Sequence, residues 1–207
     1  MKPDYTLYLV TDRRMLRGIG IEEAVEQAIL GGATIVQLRE KDVSSREFFN
    51  IAGSVKKITY KYGIPLIIND RLDIALAVDA AGLHVGQDDM PARVARRLLG
   101  QGKILGVSAG TVEEALQAEE DGADYIGVGT IFPTGTKKDT AQVGIRELRA
   151  ITGAVKIPVV AIGGIKEENV EMLEGTGIKG VAVVSAIMAR EDIRKATVAL
   201  KEKLGFI

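Results

Sequence analysis

Gln37, Arg39 and Lys41 occupy alternate positions in the run Gln37-Leu38-Arg39-Glu40-Lys41. In an extended chain alternate side chains share a face, so one amide and two cations would point the same way while Leu38 and Glu40 point the other. That grouping suits a polyanion. Two carboxylates in similar settings, Asp70 in Asn69-Asp70 and Asp89 in Gln87-Asp88-Asp89, each follow a short apolar run. If those runs are neighbouring strands, about 4.8 Å apart, the pair can share one magnesium ion. Magnesium binds oxygen at about 2.0 to 2.1 Å and completes its shell with water and substrate phosphate. Asp89 also precedes Met90-Pro91, where it would cap a helix that has proline at its first position.

The segment 125–140, YIGVGTIFPTGTKKDT, is an apolar run that empties into Thr134, Gly135, Thr136, Lys137, Lys138 and Thr140. Hydroxyls, free backbone amides and two ammonium groups there suit an anionic ligand. Gly163-Gly164 and Val184-Ser185 are small residues at which a backbone can approach a phosphate closely. Ser108 ends another apolar run. His84, the only histidine, is expected to be a hydrogen-bonded structural residue and not a general base, because a base must first show its geometry.

These residues need a common scaffold. Runs rich in Val, Ile and Leu recur at Leu7–Val10, Thr34–Leu38, Leu66–Ile68, Leu83–Val85, Ile104–Val107, Tyr125–Val128, Pro158–Ile162 and Gly180–Val184. Helical patterns separate most of them, and Ser44 with Glu47 and Thr111 with Glu114 have capping-box spacing. Small residues precede several strands, in Gly31-Gly32-Ala33, Ala81-Gly82-Leu83, Gly122-Ala123-Asp124 and Gly175-Thr176-Gly177, where glycine suits a left-handed helix cap. Strands with few polar interruptions indicate a parallel sheet covered by helices, and eight βα units predict a single (β/α)8 TIM barrel over residues 1–207. A doubly wound open sheet is the alternative, but no G-x-G-x-x-G follows the first strand. In a barrel, all the polar residues above fall at the carboxyl ends of strands, where ligands bind. The loops after the seventh and eighth strands, with Gly163, Gly164, Val184 and Ser185, are then the expected phosphate site.

A net charge of -1 gives no general attraction to nucleic acid or to an anionic membrane. With no cysteine there is no disulfide, no thiolate metal ligand and no cysteine nucleophile. No long apolar stretch opens the chain, so a cytoplasmic location is expected. A small homo-oligomer is the expected assembly.

With these residues assembled, the chain resembles the thiamine-phosphate synthase family, which joins 4-amino-2-methyl-5-(diphosphooxymethyl)pyrimidine to a thiazole phosphate. The resemblance lies in Tyr8-Leu9-Val10-Thr11-Asp12, Gly32 to Lys41, Asn69-Asp70, GLHVGQDD from Gly82, GVSAGT from Gly106, Ile131 to Thr140, Gly163-Gly164-Ile165 and Gly180 to Ile187. It implies that Gln37, Arg39, Lys41, Asn69, Ser108 and Lys137 hold the pyrimidine diphosphate, with Lys137, Arg39 and Ser108 acting in catalysis. It further implies Mg2+ on Asp70 and Asp89, and the thiazole phosphate on Thr134, Gly135, Thr136, Gly164, Val184 and Ser185. Thr130 stands where similar proteins often have proline, and Gly110 where they often have histidine. A thiazole tautomerase-like isomerase shares the scaffold but should not need the diphosphate and metal residues that this chain retains; a non-catalytic thiazole-phosphate-binding barrel, the other alternative, would bind that phosphate without condensing it.

Overall fold

The computed structural model describes residues 3–133 and 143–207. Among them, eight parallel strands close into a barrel in chain order, with β1 (Leu7–Val10) paired to both β2 (Ile35–Leu38) and β8 (Gly180–Val183). Between these lie β3 (Leu66–Asn69), β4 (Gly82–Val85), β5 (Ile104–Ala109), β6 (Tyr125–Val128) and β7 (Val159–Ile162). The eight strands expected from sequence are all present, and closure excludes the open sheet.

The covering helices are α1 (Ile21–Leu30), α2 (Ser45–Lys61), α3 (Leu72–Ala77), α4 (Ala92–Leu99), α5 (Val112–Glu120), α6 (Gly144–Ala154), the single turn α7 (Ser185–Met188) and α8 (Ile193–Glu202). After β7 a 3-10 turn, Val170–Leu173, stands in place of a helix. Among the described residues no helix is long and apolar enough to cross a membrane.

Side-chain alternation divides the core in two. Leu7, Leu9, Val36, Leu38, Leu66, Ile68, Leu83 and Leu105 face outward into the layer between barrel and helices. Tyr8, Val10, Ile35, Ile67, Tyr125, Val160 and Ala182 fill the barrel interior. Strands buried on both faces are why they read as unbroken apolar runs.

Local signals at the element ends are only half fulfilled. The Ser44 hydroxyl accepts from Glu47 N and the Thr111 hydroxyl from Glu114 N, each at 3.2 Å, so both serve as N-caps. Their acidic partners do not reach back as a capping box requires. Glu47 turns to Arg13 at 3.1 Å, and Glu114 accepts from Gly110 N at 2.6 Å. Gly82 is not a left-handed cap either: it begins β4, where a Cβ would clash with the Ile104 carbonyl. Pro91 is the N-cap of α4, and Asp89 accepts from Gly86 N at 2.7 Å and does not cap the helix.

Candidate active site

At the carboxyl ends of the strands lies a cavity of about 840 Å³. Every predicted site residue within the described part of the chain lines it: Gln37, Arg39, Lys41, Asn69, Asp70, Asp89, Ser108, Gly164, Val184 and Ser185. Thr134, Gly135, Thr136 and Lys137 lie outside the described residues. The residues flanking that segment, Thr130 and Val143, line the cavity and are joined by a Val143 N to Thr130 O hydrogen bond of 2.9 Å. The Gly129-Thr130 peptide bond is cis.

One end of the cavity is built by β2, β3 and β4. Alternation beyond β2 holds as expected, since Gln37, Arg39 and Lys41 line the cavity while Leu38 joins the outer core. Glu40 turns to Arg13, whose Nε lies 2.9 Å from Oε1 and 3.0 Å from Oε2. The N–H is aimed at Oε2, and Oε1 has no hydrogen-bond partner among the described residues. Burial pushes the Glu40 carboxyl above its usual range, against the opposing pull of Arg13. The Asp12 carboxylate nearby is engaged twice by Arg14, at 2.9 and 2.8 Å, and the Arg14 hydrogen bond holds it below the usual carboxylate range.

Asp70 adopts φ +61°, a left-handed conformation uncommon outside glycine, while its N–H donates to His84 O at 2.8 Å. This turn brings its carboxylate to the Lys41 ammonium, with which it pairs. Asp89 stands beside it. Burial, and next the adjoining Asp70 carboxyl, raise the Asp89 carboxyl above its ordinary range, while the Gly86 N–H works in the opposite direction. Two facing carboxylates whose charges oppose each other form a donor set that a divalent cation would relieve. Among the described residues no group of three or more acidic or imidazole ligands occurs. Magnesium, which commonly takes one or two carboxylates together with phosphate, fits this pair without a third.

The opposite end is made of backbone. Gly163 (φ +98°) and Gly164 (φ +67°) both occupy conformations that disfavour a side chain. They pack under the start of the β6–α6 connection, where Phe132 N donates to Gly163 O at 3.0 Å. Val184 and Ser185 lead into α7, and the Val184 carbonyl accepts from Met188 N at 2.8 Å.

Between the two ends, sequence reasoning missed the cavity floor. Tyr8 and Tyr125, both 1% exposed, come up from the barrel interior and line it together with His84. The two hydroxyls are 2.7 Å apart although 117 residues separate them in sequence. His84 bonds Tyr125 through Nδ1 and Ser108 through Nε2, each at 2.9 Å, which bears out a hydrogen-bonded histidine and adds that it touches the site. Space for the two rings comes from glycine. A Cβ on Gly106 would overlap the Tyr125 ring, and one on Gly127 would lie 3.1 Å from His84 Cε1. Gln87 also lines the wall and ties the β4–α4 loop to β5 by donating to Ser108 O at 2.6 Å.

A family model described as thiamine monophosphate synthase matches residues 7–187. The thiamine-phosphate synthase of Clostridium tetani is 60% identical over 203 residues, covering 98% of this chain and 96% of its own. That of Clostridium beijerinckii is 58% identical over 205 residues, covering 98% of each. Among solved structures, a thiamine phosphate pyrophosphorylase from Pyrococcus furiosus matches with a TM-score of 0.90 at 43% identity, over 98% of this chain and 96% of that one.

Proposed function

The chain belongs to the thiamine monophosphate synthase family, and on that premise we propose that its cavity condenses an aminopyrimidine diphosphate with a thiazole phosphate, releasing thiamine phosphate and diphosphate. Relatives with this function make the chain a transferase of thiamine biosynthesis. The observation that supports this reading is a cavity with two unlike ends: cations and carboxylates at Arg39, Lys41, Asp70 and Asp89, and the cavity-lining turns at Gly163, Gly164, Val184 and Ser185.

The diphosphate belongs at the first end. The bond between the pyrimidine methylene carbon and the diphosphate oxygen breaks with its electron pair leaving on oxygen. Charge therefore builds on the diphosphate, and a pyrimidine-stabilised cation remains. Arg39 and Lys41 lie where they can neutralise the departing group in a site partly shielded from water. Asp70 and Asp89 would hold a magnesium ion, which when bound adds Lewis-acid stabilisation of the leaving oxygens. Lys41, paired with Asp70, would then be shared between carboxylate and phosphate. Gln37 and Asn69 orient the pyrimidine, and Ser108 meets it from the far side.

The second end receives the thiazole phosphate on the amides around Gly164 and Ser185. The thiazole nitrogen then gives its lone pair to the methylene carbon. No proton has to be removed in forming that bond, so the chemistry asks for electrostatics and positioning and not for a strong base. Thr134, Gly135 and Thr136 are assigned to the thiazole phosphate and Lys137 to the diphosphate on the family resemblance alone.

A coupled assay tests the reading. With both substrates and magnesium, equal amounts of diphosphate and thiamine phosphate are expected, and neither when one substrate is omitted. Rearrangement of the thiazole without diphosphate release would mark an isomerase, and binding without product a ligand-binding barrel. Either result contradicts the condensation.

A further inference from the structure

Beneath the cavity, a chain of hydrogen bonds runs from Gln37 through Tyr8, Tyr125 and His84 to Ser108. It joins two substrate-facing side chains on opposite sides of the barrel. Gln37 Nε2 donates to the Tyr8 hydroxyl at 2.9 Å. Tyr8 has one proton and is fully buried, and its only other hydroxyl partner among the described residues is Tyr125, at 2.7 Å. It therefore donates to Tyr125, because a buried O–H without an acceptor is costly. Tyr125 in turn has His84 Nδ1 to receive its proton, at 2.9 Å. Burial raises the pKa of both phenols, so each keeps its single proton.

A ring nitrogen that accepts carries no proton, which fixes the neutral tautomer of His84 with hydrogen on Nε2. That hydrogen goes to Ser108 Oγ at 2.9 Å. The proton of Ser108 is left for the cavity, and so is Oε1 of Gln37, which has no partner among the described residues. The order is collective. Turning the Gln37 amide over would reverse every bond, moving the histidine proton to Nδ1 and consuming the Ser108 proton inside the chain.

We infer that this chain is a proton-ordered positioning device: it presents Gln37 Oε1 as an acceptor and the Ser108 hydroxyl as a donor, and so selects an amino-substituted pyrimidine over its oxo counterpart. Tyr8, Tyr125 and His84 are the positioning residues, acting through Gln37 and Ser108. An exocyclic amine donates to Oε1. An oxo group in the same place brings two acceptors together, and relief requires the whole chain to reverse. The inference rests on the assignment of Gln37 and Ser108 to the pyrimidine substrate.

The order is read directly from the imidazole 15N spectrum of the 15N-histidine-labelled, ligand-free full chain, at a pH above the ordinary histidine range. His84 is the only histidine, so its two ring nitrogens need no assignment. The expected spectrum has Nε2 protonated and Nδ1 unprotonated. A proton on Nδ1, or on both nitrogens, overturns the order.

The second measurement compares binding of the 4-amino and 4-oxo pyrimidine diphosphates. Wild type should prefer the amino compound by at least about 100-fold, since a site built around a hydrogen bond rejects a ligand that cannot make it. In Tyr125→Phe the Gln37 amide turns without reversing a chain, and the preference should shrink about tenfold or more. An unchanged preference in a folded variant contradicts the positioning role. Should that variant fail to fold, the wild-type spectrum still decides the proton order. The spectrum needs no turnover, so loss of the order leaves the condensation reading standing, and absence of condensation leaves the order standing.

Discussion

Asp70→Asn and Asp89→Asn are each expected to lower kcat/KM by about 100- to 1,000-fold, the range found when one preorganised charge-stabilising group is removed from an active site. Both also shift half-saturation to higher magnesium. The exchange keeps side-chain shape and removes one negative charge. In Asp70→Asn the half-exposed Lys41 ammonium also loses the carboxylate it pairs with; that pair by itself puts about 0 to 1 kcal/mol at stake, so the larger part of the loss is expected from the metal. In Asp89→Asn the backbone hydrogen bond from Gly86, 2.7 Å in the wild type, can still be accepted by the amide oxygen, so the loop should keep its shape. A magnesium titration of the initial rate separates the two contributions. An unchanged metal dependence in both variants would remove these carboxylates from the metal site.

Gly164→Ala is expected to act at the other end of the cavity. At φ +67° an alanine sits in the left-handed region, which costs roughly 1 to 2 kcal/mol. Its Cβ would also meet the Phe132 carbonyl, with the carbonyl carbon at 2.7 Å. Crowding of that kind adds about 1 to 3 kcal/mol. The urea midpoint should fall with an unchanged slope. Displacing the backbone there should raise KM for the thiazole phosphate about tenfold or more while leaving affinity for the pyrimidine diphosphate nearly intact. Wild-type stability together with a wild-type KM for the thiazole phosphate would show that this turn neither needs glycine nor holds that substrate.

The barrel was legible in the sequence because its two-sided burial writes each strand as a short apolar run, and the run from Tyr125 to Val128 coincides with the observed β6. The cavity rim was legible for a related reason. Residues at strand ends face ligand whichever strands are neighbours, so Lys41, Asp70 and Ser185 could be placed without knowing the register. The floor was different. Tyr8 and Tyr125 read as ordinary aromatic residues in strands, and nothing local says that their hydroxyls meet across the barrel. That contact depends on the register Gly106↔Tyr125 and on the space that glycine leaves for the ring. The sequence signal was present in Gly106 and Gly127, glycines inside strands where a close approach is the usual reason for one. The left-handed turn at Asp70 is a second case: an Asn-Asp pair after a strand allows such a conformation but does not require it.

The proposed condensation requires one cavity to hold two anions at opposite ends. A crystal structure of the chain with manganese in place of magnesium, inorganic diphosphate and thiazole phosphate tests that placement most directly. Expected are an anomalous metal peak between the Asp70 and Asp89 carboxylates, diphosphate against Arg39 and Lys41, and the thiazole phosphate on the amides near Gly164 and Ser185. Metal bound away from both carboxylates, or diphosphate seated at Gly163 and Gly164, would contradict it.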